Sequence, residues 1–171
     1  AQGIEILFQL ALNLKGRKDI GFLFVGRGSE MERFRRDATF RSLDNVLFFD
    51  QIDADEIPSL YKQCHVGMLS LDVRHKTHNI PGKFLSYIAS GLPVLASVNP
   101  GNDLIALIDR SGSGRVVCDA DVISLVAAAN ELVHLIDSDG VSSTRKSCMA
   151  LSEELFRPAS AVRQIVAALK S

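Results

Sequence analysis

Two short stretches hold the residue types that bind phosphate. In Val25-Gly-Arg-Gly-Ser-Glu30 the small residues let backbone amides approach an anion, and Arg27 offers a forked cation. In Pro81-Gly82-Lys83 a proline in the first helical turn would expose helix amides beside an ammonium group, a workable clamp for a diphosphate. Each stretch also has a plainer reading. Gly26 and Gly28 suit any tight turn, and Lys83 suits any solvated helix face. The dinucleotide-binding fingerprint is not met, because Met31 stands three residues after Gly28 where that pattern needs glycine. A third turn, Val98-Asn-Pro-Gly-Asn-Asp103, offers Asn102 or Asp103 as a helix N-cap, and its amides could face the same crevice.

Other chemistries find less support. Asp72, His75 and His78 lie together in an eleven-residue polar loop, Asp72 to Gly82, but their spacing matches no strong metal-ligand pattern. No metal is expected. There is no Gly-x-Ser-x-Gly elbow, and Cys64-His65 at a strand start reads as packing rather than as an activated nucleophile. Arg33-Phe-Arg-Arg36 with Arg41 is a basic patch that reads as a solvated helix face, or as a contact with an anionic membrane surface.

These residues must be positioned by something, and the hydropathy pattern supplies it. Residues 3–14 carry apolar side chains at helical spacing. Then short apolar runs alternate with helical patterns: Gly21–Val25 with Ser29–Ala38, Asn45–Phe49 with Ala54–Gln63, His65–Leu71 with Pro81–Ser90, and Pro93–Ser97 with Asp103–Ser111. A fifth run, Gly114–Cys118, precedes helical stretches near 121–137, 141–155 and 159–170. Apolar runs without alternation predict strands buried on both faces, and helical crossovers predict a parallel sheet. The expected fold is one α/β domain over residues 1–171, a Rossmann-like doubly wound sheet with a helix-rich C-terminus.

Composition narrows the function. Nineteen Lys and Arg against twenty Asp and Glu give a net charge of −1, so no global field draws in nucleic acid. The apolar runs are too short to span a bilayer. Three cysteines, odd in number and widely spaced, suit a reducing compartment and predict a cytoplasmic chain.

Taken in order, Phe24–Glu30, Asn45–Gln51, Ile57–Tyr61, His65–Ser70 and Pro81–Val94 resemble the C-terminal, donor-binding half of family-4, or group 1, glycosyltransferases of GT-B architecture. The most specific part is Lys83–Val94, which is similar to the Lys-x-x-Glu-Tyr-x-Ala-x-Gly-x-Pro-Val pattern of bacterial surface-polysaccharide members. The resemblance implies metal-independent transfer of a sugar, with retention, from a nucleotide-diphosphate sugar to a lipid-linked or saccharide acceptor in lipopolysaccharide, O-antigen or capsule synthesis. A uridine donor is expected by the same resemblance. It also implies a diphosphate beside Gly26, Arg27 and Gly28, a base against the backbone of Gln51 and Ile52, and phosphates and sugar along His78, Asn79, Ile80, Pro81, Gly82 and Lys83, with the ribose at Ser86. No cofactor is implied. His78 and Ser86 stand where the family often has two glutamates.

In that family a strand precedes the first helix and an N-terminal domain binds the acceptor; this chain opens in the helix. It is therefore expected to be an inactive fragment, whose full-length form could touch the inner face of the cytoplasmic membrane. Two other readings use the same pattern: a nucleotide-sugar 2-epimerase, whose acidic and histidine residues have no counterpart here, and a self-contained Rossmann-like binding module. An exposed apolar edge distinguishes a severed half from a complete module.

Overall fold

The computed structural model describes residues 3–72, 80–139 and 141–156. Twelve elements follow one another among them. Helix α1 (Ile4–Asn13) leads to strand β1 (Phe22–Val25), α2 (Ser29–Phe40), β2 (Val46–Phe49), α3 (Ile57–Gln63), β3 (Gly67–Ser70) and α4 (Gly82–Ala89). Then come β4 (Val94–Ser97), α5 (Asp103–Ser111), β5 (Gly114–Val117), α6 (Val122–Asp139) and α7 (Val141–Phe156). The α/β alternation read from hydropathy is therefore present, with strands a residue or more shorter than the apolar runs that signal them. The helical stretch expected near 159–170 lies outside the described residues.

All strand pairs are parallel, but they form two ladders rather than a continuous one. β1 pairs with β2, Phe22 beside Val46 through Val25 beside Phe49. The second ladder is β3-β4-β5, with Gly67 beside Val94 and Val94 beside Gly114. No ladder joins β1 to β3.

Helices cover the strands from two sides. On one side Leu7 and Leu10 of α1, with Leu14, pack with Leu125 and Leu132 of α6 against Phe22, Phe24 and Leu95. Beside them Phe8 of α1 stacks on Phe34 of α2 at 4.6 Å between ring centroids, a contact that contributes about 1 kcal/mol beyond its buried area. On the other side Phe84 and Ile88 of α4, Leu104 and Ile108 of α5, and Cys148 and Leu151 of α7 enclose Leu69, Val94 and Ala96. α5 starts where Asn102 accepts a hydrogen bond from the Leu104 N–H at 3.0 Å, so of the two candidate caps it is Asn102 that serves. The helix stops at Gly112, whose φ of 65° places it in the left-handed region.

The expectation that strands are buried on both faces holds for β4, where Val94, Leu95, Ala96 and Ser97 are all buried. It fails for β2, where Leu47 and Phe49 are 64% and 52% exposed. The physical reason is one-sided cover: Val46 and Phe48 turn toward the α1 and α2 layer, and alternation turns Leu47 and Phe49 the other way. No helix among the described residues is long and apolar enough to cross a membrane.

The β4–β5 ladder depends on glycine at one point. A methyl group on Gly114 would fall 1.9 Å from the Val94 carbonyl oxygen, whereas Gly16 has nothing within 4 Å. Gly114→Ala is therefore expected to destabilise the chain by more than about 3 kcal/mol, and Gly16→Ala to leave it nearly unchanged. Urea unfolding of the two variants checks this.

Candidate functional site

Parallel strands place all their carboxyl ends on one rim, so the loops after β1, β2, β3 and β4 converge. Specific bonds hold the rim together. The Gly26 N–H donates to the Phe49 carbonyl at 3.0 Å, joining the loop after β1 to the end of β2. Asn99 Nδ2 donates to the Asp72 carbonyl at 3.3 Å, joining the loop after β4 to the loop after β3. α1 also begins here, since a methyl group on Gly3 would sit 2.8 Å from Ser70 Oγ.

In the first loop Gly26 and Gly28 have φ of 154° and 128°, conformations that side chains resist. Around both, a Cβ would meet nothing within 4 Å. The backbone therefore requires glycine for its torsion angles rather than for space, since a side chain at either position would meet no neighbour. Arg27 is exposed between them, and among the described residues no carboxylate pairs with it. α2 follows with no side-chain cap at Gly28. Its first turn does carry Glu30 and Glu32, which soften the positive end of the helix.

The second loop ends in Ile80 and Pro81, and Pro81 opens α4 with φ −65° and no side-chain cap. Lys83 sits in the first turn. Partial desolvation lowers its pKa below the ordinary 10.5, because burial disfavours the ammonium form. Ser86, one turn on, donates its hydroxyl proton to the Gly82 carbonyl at 3.1 Å, leaving only its lone pairs to accept from a ligand. His78 and Asn79 lie outside the described residues.

α4 is seated by an aromatic pair that sequence reading passed over. The Tyr87 hydroxyl donates to the Met68 carbonyl at 3.2 Å, and its ring occupies the space a Cβ on Gly67 would need, 2.7 Å away. Tyr61 of α3 meets the same ring edge-on at 5.1 Å. Burial raises the Tyr87 phenol well above its ordinary pKa, so it stays a hydrogen-bond donor. The sequence signals are Gly67 placed inside an apolar strand and the tyrosine of the Lys83–Val94 pattern, Tyr87.

A cleft of about 1140 Å³ separates the two ladders and opens at this rim. Gly26, Gln51, Ile52 and Lys83 all line it, so four of the residues singled out by sequence share one wall-to-wall space. Gln51 and Ile52 reach it from the end of β2, where the neighbouring Asp50 carboxylate is held by Arg35 at 2.8 Å. Arg27, Gly28, Ile80, Pro81, Gly82 and Ser86 are outside its lining.

Nucleophilic chemistry has no footing in Cys64 or Cys148. Burial pushes the Cys64 thiol above its usual range and that of Cys148, which donates to the Ser113 carbonyl, up to about 12. Among the described residues no three His, Cys, Asp or Glu side chains gather in a metal-ligating group. His75 and His78 lie outside the described residues.

A glycine turn, the end of β2 and the start of α4 around the rim of parallel strands make this an α/β domain of Rossmann-like kind. The family model of group 1 glycosyl transferases matches residues 1–135, and the chain belongs to that family. It is also similar to a probable glycosyltransferase, WbjE, of Pseudomonas aeruginosa, with 23% identity over 134 residues that make up 78% of this chain and 33% of that protein. The chain thus spans about a third of the length of that curated relative.

The glycine torsions can be tested directly. Gly26→Ala and Gly28→Ala are each expected to cost about 1–2 kcal/mol of stability although nothing crowds either site. Thermal unfolding measures the loss, and unchanged midpoints would mean that the loop relaxes freely.

Proposed function

We propose that this chain is the donor-binding half of a retaining glycosyltransferase that takes a sugar from a nucleoside-diphosphate sugar. The observation that carries the reading is the meeting of Gly26, Gln51, Ile52 and Lys83 around one cleft mouth. The open glycine backbone and Arg27 receive the diphosphate, and the rim residues Gln51 and Ile52 receive the base through their backbone. Lys83 and the uncapped start of α4 face the phosphates from the other ladder. As the bond from the anomeric carbon to the diphosphate breaks, negative charge builds on the leaving oxygens, and these cations and amide dipoles offset it. No divalent ion is needed for that step.

The sugar goes to a lipid-linked or saccharide acceptor held by a separate N-terminal domain, in bacterial lipopolysaccharide, O-antigen or capsule synthesis. This part of the proposal rests on the resemblance of Lys83–Val94 to the pattern of surface-polysaccharide members. Uridine is the proposed base. The chain works in the cytoplasm, with peripheral contact at the inner face of the membrane, and the isolated 171-residue chain transfers no sugar by itself.

Calorimetric titration with UDP, GDP and ADP, with and without magnesium, tests the reading. The expected result is selective, magnesium-independent binding of UDP, weakened about 10- to 100-fold by Lys83→Ala, the scale of one charge-assisted hydrogen bond. Absence of binding to any of the three, or strict dependence on magnesium, would overturn it.

The pH dependence carries a sign. Diphosphate binding uses the ammonium form of Lys83, whose pKa lies below 10.5 in the free chain. Affinity therefore falls as pH rises, starting earlier than an ordinary lysine would allow. Titrations at successive alkaline pH values measure this, and Lys83→Arg should flatten the fall, because guanidinium keeps its charge.

A further inference from the structure

One large apolar side chain stands almost wholly in water. Phe40, the last residue of α2, is 91% exposed, more than any other large hydrophobic residue among those described. The helical period puts it there. Met31, Phe34 and Ala38 form the buried face of α2, while Arg33, Arg36 and Phe40 recur at steps of three and four on the opposite face, all exposed.

The end of the helix is closed by two bonds. The Leu43 N–H donates to the Ala38 carbonyl at 3.0 Å, and the Ser42 N–H donates to the Thr39 carbonyl at 3.1 Å. Ser42 lies in the left-handed region at φ 52°, the conformation in which such a helix stop places its turning residue. Leu43 then packs inward on the cluster of Phe8, Phe34 and Ala38. The turn thus tucks Leu43 under the helix and holds Phe40 outside it.

The ring is surrounded by cations. Arg36 and Arg41 are exposed, and among the described residues neither has a carboxylate partner. Lys15, just past α1, is exposed and unpaired in the same sense. It belongs to the same rim, because the Lys18–Asp44 pair joins the loop after α1 to the loop after α2. Of the carboxylates nearby, Glu5 is held by Arg33, Asp19 by Arg17 and Asp44 by Lys18. Asp37 alone opposes the cations in the last turn, since Glu30 and Glu32 lie in the first turn at the far end of the helix.

We infer that this end of α2 is a membrane-docking surface, where the Phe40 ring enters the interface of an anionic bilayer and Arg36, Arg41 and Lys15 meet lipid phosphates. Charge complementarity selects the anionic lipid, and the projecting ring selects a bilayer. An acidic peptide would pair with the arginines but leave the ring in water, whereas the headgroup layer takes up both. The inference rests on the peripheral membrane contact of the proposed function and gives that contact its residues. The 12 residues of α2 carry the chain about 18 Å from the glycine turn to Phe40. The contact therefore lies at the amino ends of the strands and leaves the candidate site at the opposite rim open to a soluble donor.

The chain contains no tryptophan, so Phe40→Trp places a single fluorescent reporter at the contact. The 171-residue chain is mixed with vesicles of phosphatidylcholine alone and with vesicles of phosphatidylcholine and phosphatidylglycerol. Emission of the Phe40→Trp variant is expected to move to shorter wavelength with the anionic vesicles only. Co-sedimentation of the unaltered chain with them is expected to fall about tenfold or more in Phe40→Ala and in the double variant Arg36→Glu, Arg41→Glu, and to weaken with added salt. Both changes are on the surface, so unfolding midpoints should stay within about 2 °C of the unaltered chain. Equal binding to both kinds of vesicle, binding that survives both variants, or no binding at all overturns the inference. An emission shift that grows with protein concentration without vesicles also overturns it, and assigns the face to a second copy. Titration with UDP keeps the two readings apart, because neither variant touches the candidate site and both should bind UDP as the unaltered chain does. Loss of UDP binding with vesicle binding kept counts against the donor-binding reading alone, and the reverse counts against the docking surface alone.

Discussion

A parallel strand has to be covered on both faces and paired on both edges, and β4 is the one strand here that meets the requirement in full. Val94, Leu95, Ala96 and Ser97 are all buried, β3 and β5 flank them in register, and Leu95 turns toward α6 while Val94 and Ala96 turn toward α4 and α5. Every backbone amide of such a strand needs a ladder partner, because no water reaches it. β4 thereby fixes the level of its neighbours, and with it the height at which the loops after β3 and β4 leave the rim. The Asn99 bond to Asp72 is possible only because those two loops depart side by side.

The candidate site is a consequence of that arrangement rather than an addition to it. Its backbone comes from the turn at Gly26 and Gly28, where the Gly26 amide is already taken by Phe49, and from the uncapped start of α4. Its cations, Arg27 and Lys83, stand on opposite sides of the cleft because one follows β1 and the other follows β3. Tyr87 fixes the second of these distances by tying α4 to the Met68 carbonyl through a gap that only glycine at position 67 leaves open. A nucleoside diphosphate, long and charged along one side, suits a rim that is cationic and rich in amides across that span.

The outer ladder is held differently. β1 and β2 depend on α1 and α2 through Phe8, Phe34 and Phe48, and on Asn45, buried at the entry to β2, whose side-chain amide donates to the Ala11 carbonyl at 3.0 Å. Only one face of this pair is sealed, so Leu47 and Phe49 on the other face stay exposed along the cleft that they line. The halves of the candidate site therefore rest on supports of unequal strength, the rim of β3 and β4 on a closed core and the glycine loop on a ladder with an open edge.

Element order and type were legible in the amino-acid sequence, because hydrophobic period and breaker residues act over a few neighbours. The run Gly21–Val25 reads as a strand and Ser29 onward as a helix whatever surrounds them. The glycine turn was legible for the same reason, since φ at Gly26 and Gly28 is a local matter. What the sequence left open was every question of which edge meets which. Asn102 and Asp103 were equal candidates for the cap until the Leu104 amide took Asn102. Ser86 was expected at the ribose by resemblance alone, and only the folded helix shows that its proton goes to the Gly82 carbonyl. The burial of Leu47 and Phe49 was expected from their apolar run, and tertiary structure reversed it, because burial depends on a covering layer that no local pattern encodes. The separation of β1 from β3 is the largest such decision. Strand pairing is a contact between residues far apart in the chain, and only the assembled layers determine whether two edges meet or face each other across a cleft.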